Sequence, residues 1–123
     1  MGSRSLRNPV TWVLVAIVAV AALVLLPQSS RGAKAKFSGS CGGAGCVWTP
    51  KVRRIHKGDK IVWKVPVGDT THTVTARAKG HAWKKDVTLS PGEKTSKVFR
   101  KKGRYFFKCT IHDGMNGRVR VRA

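Results

Sequence analysis

The stretch Gly103-Arg104-Tyr105-Phe106-Phe107-Lys108-Cys109-Thr110-Ile111-His112-Asp113-Gly114-Met115 carries the strongest structural signal in this chain. Aromatic residues interleaved with basic ones from Arg104 to Lys108 suit a β-strand, opened by the turn Lys102-Gly103. At Cys109 the character changes. A thiol, an imidazole and a thioether follow one another at three-residue intervals, Cys109, His112 and Met115. Cys109 ends the strand and the rest forms a tight loop, with Gly114 supplying the bend. A loop can turn three such side chains toward one point. A straight strand, whose side chains alternate between faces, cannot.

The segments upstream read the same way. Val52 to Ile55 is a short strand closed by the turn His56-Lys57-Gly58-Asp59. From Lys60 to Val65, Ile61, Trp63 and Val65 alternate with Lys60, Val62 and Lys64. Thr71 to Arg77 is β-branched and alternating, Ser90-Pro91-Gly92-Glu93 is a turn, and Lys94 to Arg100 is a strand. In the last strand Val119 and Val121 alternate with Arg118, Arg120 and Arg122. Nothing after residue 36 has a helical period. Six or seven short strands in so short a span predict an all-β fold, a small β-sandwich. So small a core would gain from a disulfide or a metal.

The N-terminus is of another kind. Residues 8–30 carry no charge, and Val10 to Leu26 is a nearly unbroken apolar run, preceded by Arg4 and Arg7 and followed by Pro27. Basic flank, apolar run and polar exit make a signal peptide or membrane anchor over residues 1–35, with Ala33 and Ala35 as an A-x-A-like cleavage site. The arginines stay inside and the remainder is exported. Residues 36–46, rich in Ser and Gly, read as a tether, and residues 47–123 as the folded domain. Export implies a periplasmic, extracellular or outer-face location and an oxidising compartment.

The whole chain has 123 residues, 25 of them Lys or Arg and 5 Asp or Glu, for a net charge of +20. One domain's length excludes a multidomain enzyme, and a 41% hydrophobic content excludes a wholly disordered chain. Such a charge calls for acidic partners: an acidic redox protein, or an anionic cell-envelope or membrane surface. Nucleic acid is not expected, since the chain is exported and has few aromatics for base stacking.

The sulfur and imidazole pattern states the chemistry. A fourth ligand must come from elsewhere, and His72 stands on another strand, just past the turn at Gly68-Asp69. Two imidazoles and a thiolate with a weak thioether make a type 1 copper site. Soft sulfur suits Cu(I), while imidazole also suits Cu(II). Zinc is the poorer fit because structural zinc takes Cys and His alone. A saturated site without an open position for substrate suits electron transfer rather than bond-making.

With those residues in place, the chain resembles the cupredoxins, the plastocyanin and azurin superfamily, from about Val47 to Arg122. The similarity runs through Lys57-Gly58-Asp59, Lys60 to Val65, His72-Thr73-Val74, Leu89 to Glu93, and Gly103 through Asn116-Gly117. The short ligand loop is most similar to that of the amicyanins. The resemblance implies an eight-stranded Greek-key sandwich with copper at one end. It also implies equatorial ligands His72, Cys109 and His112, with Met115 axial. Electrons would pass at the edge of His112 within an apolar patch, for which Ile111, Pro66 and Val67 are candidates. Two positions depart from the pattern. Thr73 stands where several members carry an Asn that ties the ligand loops together, and Asp113 stands where amicyanin and plastocyanin carry Pro.

If Cys109 is spent on copper, Cys41 and Cys46 remain, enclosing Gly-Gly-Ala-Gly. A disulfide is expected; a second Cu(I) site and two free thiols are the alternatives. His56 and His81 are expected as surface residues, with a weak metal contact at His81 beside Trp83 as the sharper alternative. The expected function is an exported single-electron carrier. The competing one is an extracytoplasmic copper scavenger or chaperone, which the scarcity of Met disfavours. The sequence has no nucleophile paired with a base, no carboxylate pair and no second copper cluster, so an enzyme is not expected.

Overall fold

The computed structural model describes residues 32–123. They fold into nine strands: β1 Lys34–Gly42, β2 Gly45–Thr49, β3 Val52–His56, β4 Lys60–Lys64, β5 His72–Gly80, β6 Asp86–Leu89, β7 Lys94–Val98, β8 Gly103–Lys108 and β9 Asn116–Arg122. The expected signal or anchor lies outside the described residues up to position 31. No helix among the described residues is long and apolar enough to cross a membrane.

Two sheets face each other as a Greek-key sandwich. One has the order β2-β1-β4-β7 and the other β3-β9-β8-β5-β6. The chain crosses between sheets repeatedly, so β1 pairs in parallel with β4 and β3 in parallel with β9, while the remaining pairs are antiparallel. The alternation in β4 is realised: Ile61 and Trp63 turn inward and are fully buried, and Val65 beyond the strand joins them. Four aromatic rings fill the middle. Phe107 meets Phe37, Trp48 and Trp63 edge-on, at centroid distances of 4.9, 6.0 and 5.4 Å. Edge-to-face contacts of this kind add to the burial of the rings themselves.

The expected tether is corrected. Residues 36–46 are most of β1, a turn and the start of β2, integral to the first sheet. Composition pointed the other way because Ser and Gly dominate and Phe37 is the single bulky apolar residue there. What makes β1 a strand is pairing: Phe37 stands beside Trp63 in the parallel register and stacks on it, while Gly39 is opposite Trp48 across the hairpin. The folded unit therefore begins at β1, upstream of residue 47. β6 was also not anticipated, and the total of nine strands exceeds both the six or seven read from pattern and the eight implied by resemblance. Nor was β2 read as a strand, since the pattern offered none before Val52; β3, β4, β5, β7, β8 and β9 lie where the alternation put them, within a few residues.

Candidate metal centre

The two segments that matter meet at one end of the sandwich. His72 is the first residue of β5, fully buried where β5 leaves the β4–β5 loop. Cys109 directly follows β8, and residues 109–115 form a closed loop: Cys109 N–H donates to the Met115 carbonyl at 2.9 Å and Met115 N–H to the His112 carbonyl at 3.3 Å. Gly114 adopts φ 78°, the left-handed region where a glycine is at no disadvantage. The loop is thus shaped by its own backbone hydrogen bonds, which leaves the side chains of Cys109, His112 and Met115 free to face inward.

These side chains converge on His72. The Nδ1 atoms of His72 and His112 face each other at 3.2 Å. Cys109 Sγ lies 3.5 Å from His112 Nδ1 and 4.0 Å from His72 Nδ1. Metal–nitrogen and metal–sulfur bonds of about 2.0 to 2.3 Å put donors that share one ion within roughly 4 Å of each other. The three donors have that spacing. Cys109 is a free, buried cysteine. Met115 is buried too, and its Cε and the His72 ring both lie against Gly39.

Cys41 also comes close, its sulfur within 4.8 Å of the two imidazoles. It is bonded to Cys46, closing the turn between β1 and β2, so the disulfide reading holds over the free-thiol and Cu(I)-site alternatives. A sulfur in a disulfide carries no thiolate charge and is no substitute for Cys109. Cys41 Sγ faces Nε2 of His72, the nitrogen on the far side of the ring from Cys109.

The surroundings supply what the sequence pattern did not name. Thr73 N–H donates to Cys109 Sγ at 3.3 Å. Its hydroxyl oxygen accepts the Thr110 N–H at 2.8 Å, so Thr73 itself ties the two ligand-bearing segments together. Asp69 accepts from His72 Nε2 at 3.0 Å and from Cys41 N–H at 3.3 Å. Its carboxyl is held below the usual carboxylate range, chiefly by the Thr70 N–H bond, with His72 and the Cys41 N–H adding to it against partial burial. Asp113, beside His112, is exposed.

Among the described residues, His81 is not part of the group of side chains spaced to share a metal ion. His81 donates from Nδ1 to the Ala82 carbonyl and lies on the Tyr105 ring, while Trp83 donates to the Phe106 carbonyl and stacks on Trp63. His56 is exposed. Around the ligand end, Val67 and Ile111 are exposed large apolar residues, 87% and 53% accessible, and His112 is half-buried.

A Greek-key sandwich with a thiol, two imidazoles and a thioether gathered at one end defines a blue-copper type of protein. Residues 35–122 match the family described as copper binding proteins, plastocyanin/azurin family, and the chain belongs to it. Its cofactor is copper, and the donor set above suits that ion. Among solved structures, the chain is similar to a purple cupredoxin from Nitrosopumilus maritimus, with 23% identity and a TM-score of 0.60 over 72% of this chain and 99% of the other. It is similar to pseudoazurin from Methylobacterium extorquens AM1, with 28% identity and a TM-score of 0.58 over 72% and 74%. Amicyanin from Paracoccus versutus aligns at 19% identity and a TM-score of 0.53 over 80% and 87%. No curated protein sequence matches the chain.

Proposed function

We propose that this chain carries single electrons at a type 1 copper site with His72, Cys109 and His112 as equatorial ligands and Met115 as the axial one. The observation that carries the reading is the free buried thiol of Cys109 within 3.5 and 4.0 Å of two imidazole nitrogens that already face each other. Bound there, copper supplies a one-electron Cu(I)/Cu(II) couple. The chain's residues do the rest. The Thr73 N–H bond to Cys109 Sγ stabilises negative charge on the sulfur. The buried positions of His72, Cys109 and Met115 keep water out and hold the ligands in one arrangement for both oxidation states. Half-buried His112, next to exposed Ile111, is the route by which electrons enter and leave.

The partner is an acidic redox protein. Among the described residues no Lys or Arg pairs with a carboxylate; the one contact between a basic side chain and a carboxylate is the hydrogen bond of His72 to Asp69. The acidic groups are engaged elsewhere: Asp59 accepts the His56 N–H, Asp86 the Thr75 hydroxyl, and Glu93 the Ser90 N–H. The positive charge is therefore left free to act on partners and on an anionic envelope surface. The reading places the protein outside the cytoplasm, exported through residues 1–35 and secreted or held at the membrane, and gives it no bond-making chemistry. Burial of the donor set favours a shuttle over a copper scavenger or chaperone, whose ion must be readily passed on.

The test is a visible spectrum of the full chain after addition of Cu(II) and then ascorbate. The expected result is an intense thiolate-to-copper band that bleaches with ascorbate, returns on oxidation, and is absent from Cys109→Ser. Tight Cu(I) binding without that band would instead favour copper handling.

A further inference from the structure

The β1–β2 hairpin reaches the metal centre from the side opposite Cys109, and one carboxylate joins the two. Asp69 lies in the β4–β5 loop, three residues before His72. Its Oδ1 accepts from the Thr70 N–H at 2.7 Å and from His72 Nε2 at 3.0 Å. Its Oδ2 accepts the Cys41 N–H at 3.3 Å. Cys41 is cross-linked to Cys46 and stands opposite it at the end of the hairpin, so the donor to Oδ2 belongs to a covalently closed turn. The same hairpin supplies Gly39 and Trp48, which lie against the His72 ring.

We infer that Asp69, held by the disulfide-closed hairpin, is the positioning residue for His72, fixing its tautomer and tuning the copper couple. The inference rests on the reading of His72 as a ligand. A neutral imidazole carries one proton. With the carboxylate at Nε2, that proton stays on Nε2 and the Nδ1 lone pair points at Cys109 and His112. Without Asp69 no carboxylate holds the proton on Nε2, although the packing of the ring against Gly39 and Trp48 remains. A carboxylate behind a ligating histidine also makes it a stronger donor, which favours the more highly charged Cu(II). Hairpin, carboxylate and imidazole thus form a chain of contacts from the disulfide to the metal ligand. Asp69 is only 13% accessible and His72 fully buried, so water competes little for the bond.

The experiment uses the copper-loaded full chain as wild type, Asp69→Asn, Asp69→Ala and the paired Cys41→Ser, Cys46→Ser variant. Folding is checked by circular dichroism. Cu(II) affinity is measured by chelator competition, and the potential by equilibrium with a redox mediator. Asp69→Ala is expected to weaken Cu(II) binding tenfold or more. It should also shift the equilibrium toward Cu(I) about tenfold, some 59 mV for one electron. Asp69→Asn keeps the shape and an acceptor oxygen but loses the charge, so it should move the potential in the same direction even if Asp69→Ala folds poorly. The paired serine variant should move it the same way by less. A merely structural role would weaken both oxidation states alike and leave the potential in place. An Asp69→Asn protein with wild-type potential and affinity, beside a wild type showing the thiolate band, overturns this inference alone. A wild type without that band overturns the ligand assignment and this inference with it.

Discussion

Gly39 on β1 lies directly against the ring of His72 on β5. A Cβ built on Gly39 would stand 3.0 Å from His72 Cδ2, 3.2 Å from Trp48 and 3.3 Å from Met115 Cε. No other residue type leaves β1 that close to both ends of the donor set. Gly39→Ala should therefore displace His72 or Met115. Overpacking of this kind typically costs about 1–3 kcal/mol. Urea unfolding of the copper-free protein should show that loss. The copper-loaded variant should show a shifted or weakened thiolate band, because the added methyl presses on a ligand rather than on inert core.

Thr73 connects the two ligand segments through its hydroxyl, which accepts the Thr110 N–H and meets the Thr75 hydroxyl. Thr73→Val keeps the shape and removes the acceptor. The Thr110 N–H then loses its partner, at a cost of about 1–3 kcal/mol. Thr73→Asn, which restores an acceptor, should recover part of it. Chemical denaturation of the three proteins side by side decides the matter; equal midpoints would show that the hydroxyl ties nothing.

The unpaired positive charge makes a kinetic prediction. Reduction of the oxidised protein by anionic hexacyanoferrate(II) should slow as ionic strength rises, since salt screens the attraction. A cationic reductant such as hexaammineruthenium(II) should show the opposite trend. Stopped-flow rates across a salt series read both slopes. Identical slopes would mean that the charge does not reach the surface where electrons pass.

Tyr105 gives the fold an alkaline limit. Its hydroxyl donates to the Lys101 carbonyl at 2.6 Å, and burial pushes its ionisation above the ordinary tyrosine value. A group whose value is raised on folding contributes stability that is complete below the unfolded value, about 10. That contribution is lost as pH climbs through the folded value. Tyr105→Phe should cost about 1 kcal/mol near neutrality by removing the hydrogen bond. It should also fall less steeply above pH 10. Thermal melts at pH 7 and pH 11 compare the two proteins.

Much of the fold could be read along the chain because strand alternation is a local property. Ile61 with Trp63, and Val119 with Val121, advertise an inward face by spacing alone. β1 gave no such sign. Its inward positions are Phe37 and Gly39, and a glycine has no hydrophobicity to register in a pattern. β1 is a strand because β4 and β2 flank it, and a pairing between residues such as Phe37 and Trp63 cannot be seen in a window of neighbours. β6 is short and its burial irregular, so it too relies on its partner β5.

The donor set follows the same division. Cys109, His112 and Met115 lie within seven residues, and sulfur and imidazole carry their metal chemistry in any surroundings, so the kind of site was plain from the order of residues. Its control was not. Asp69 was only part of a turn until its carboxylate met both His72 and the Cys41 backbone 28 residues away. Gly39 and Thr73 likewise matter through atoms 33 and 37 residues distant, His72 for the one and Thr110 for the other. Donor identity belongs to single side chains and is carried by the chain itself. The spacing, tautomer and crowding of those donors are set by strands packed from both sheets, and they exist only once the sandwich has closed.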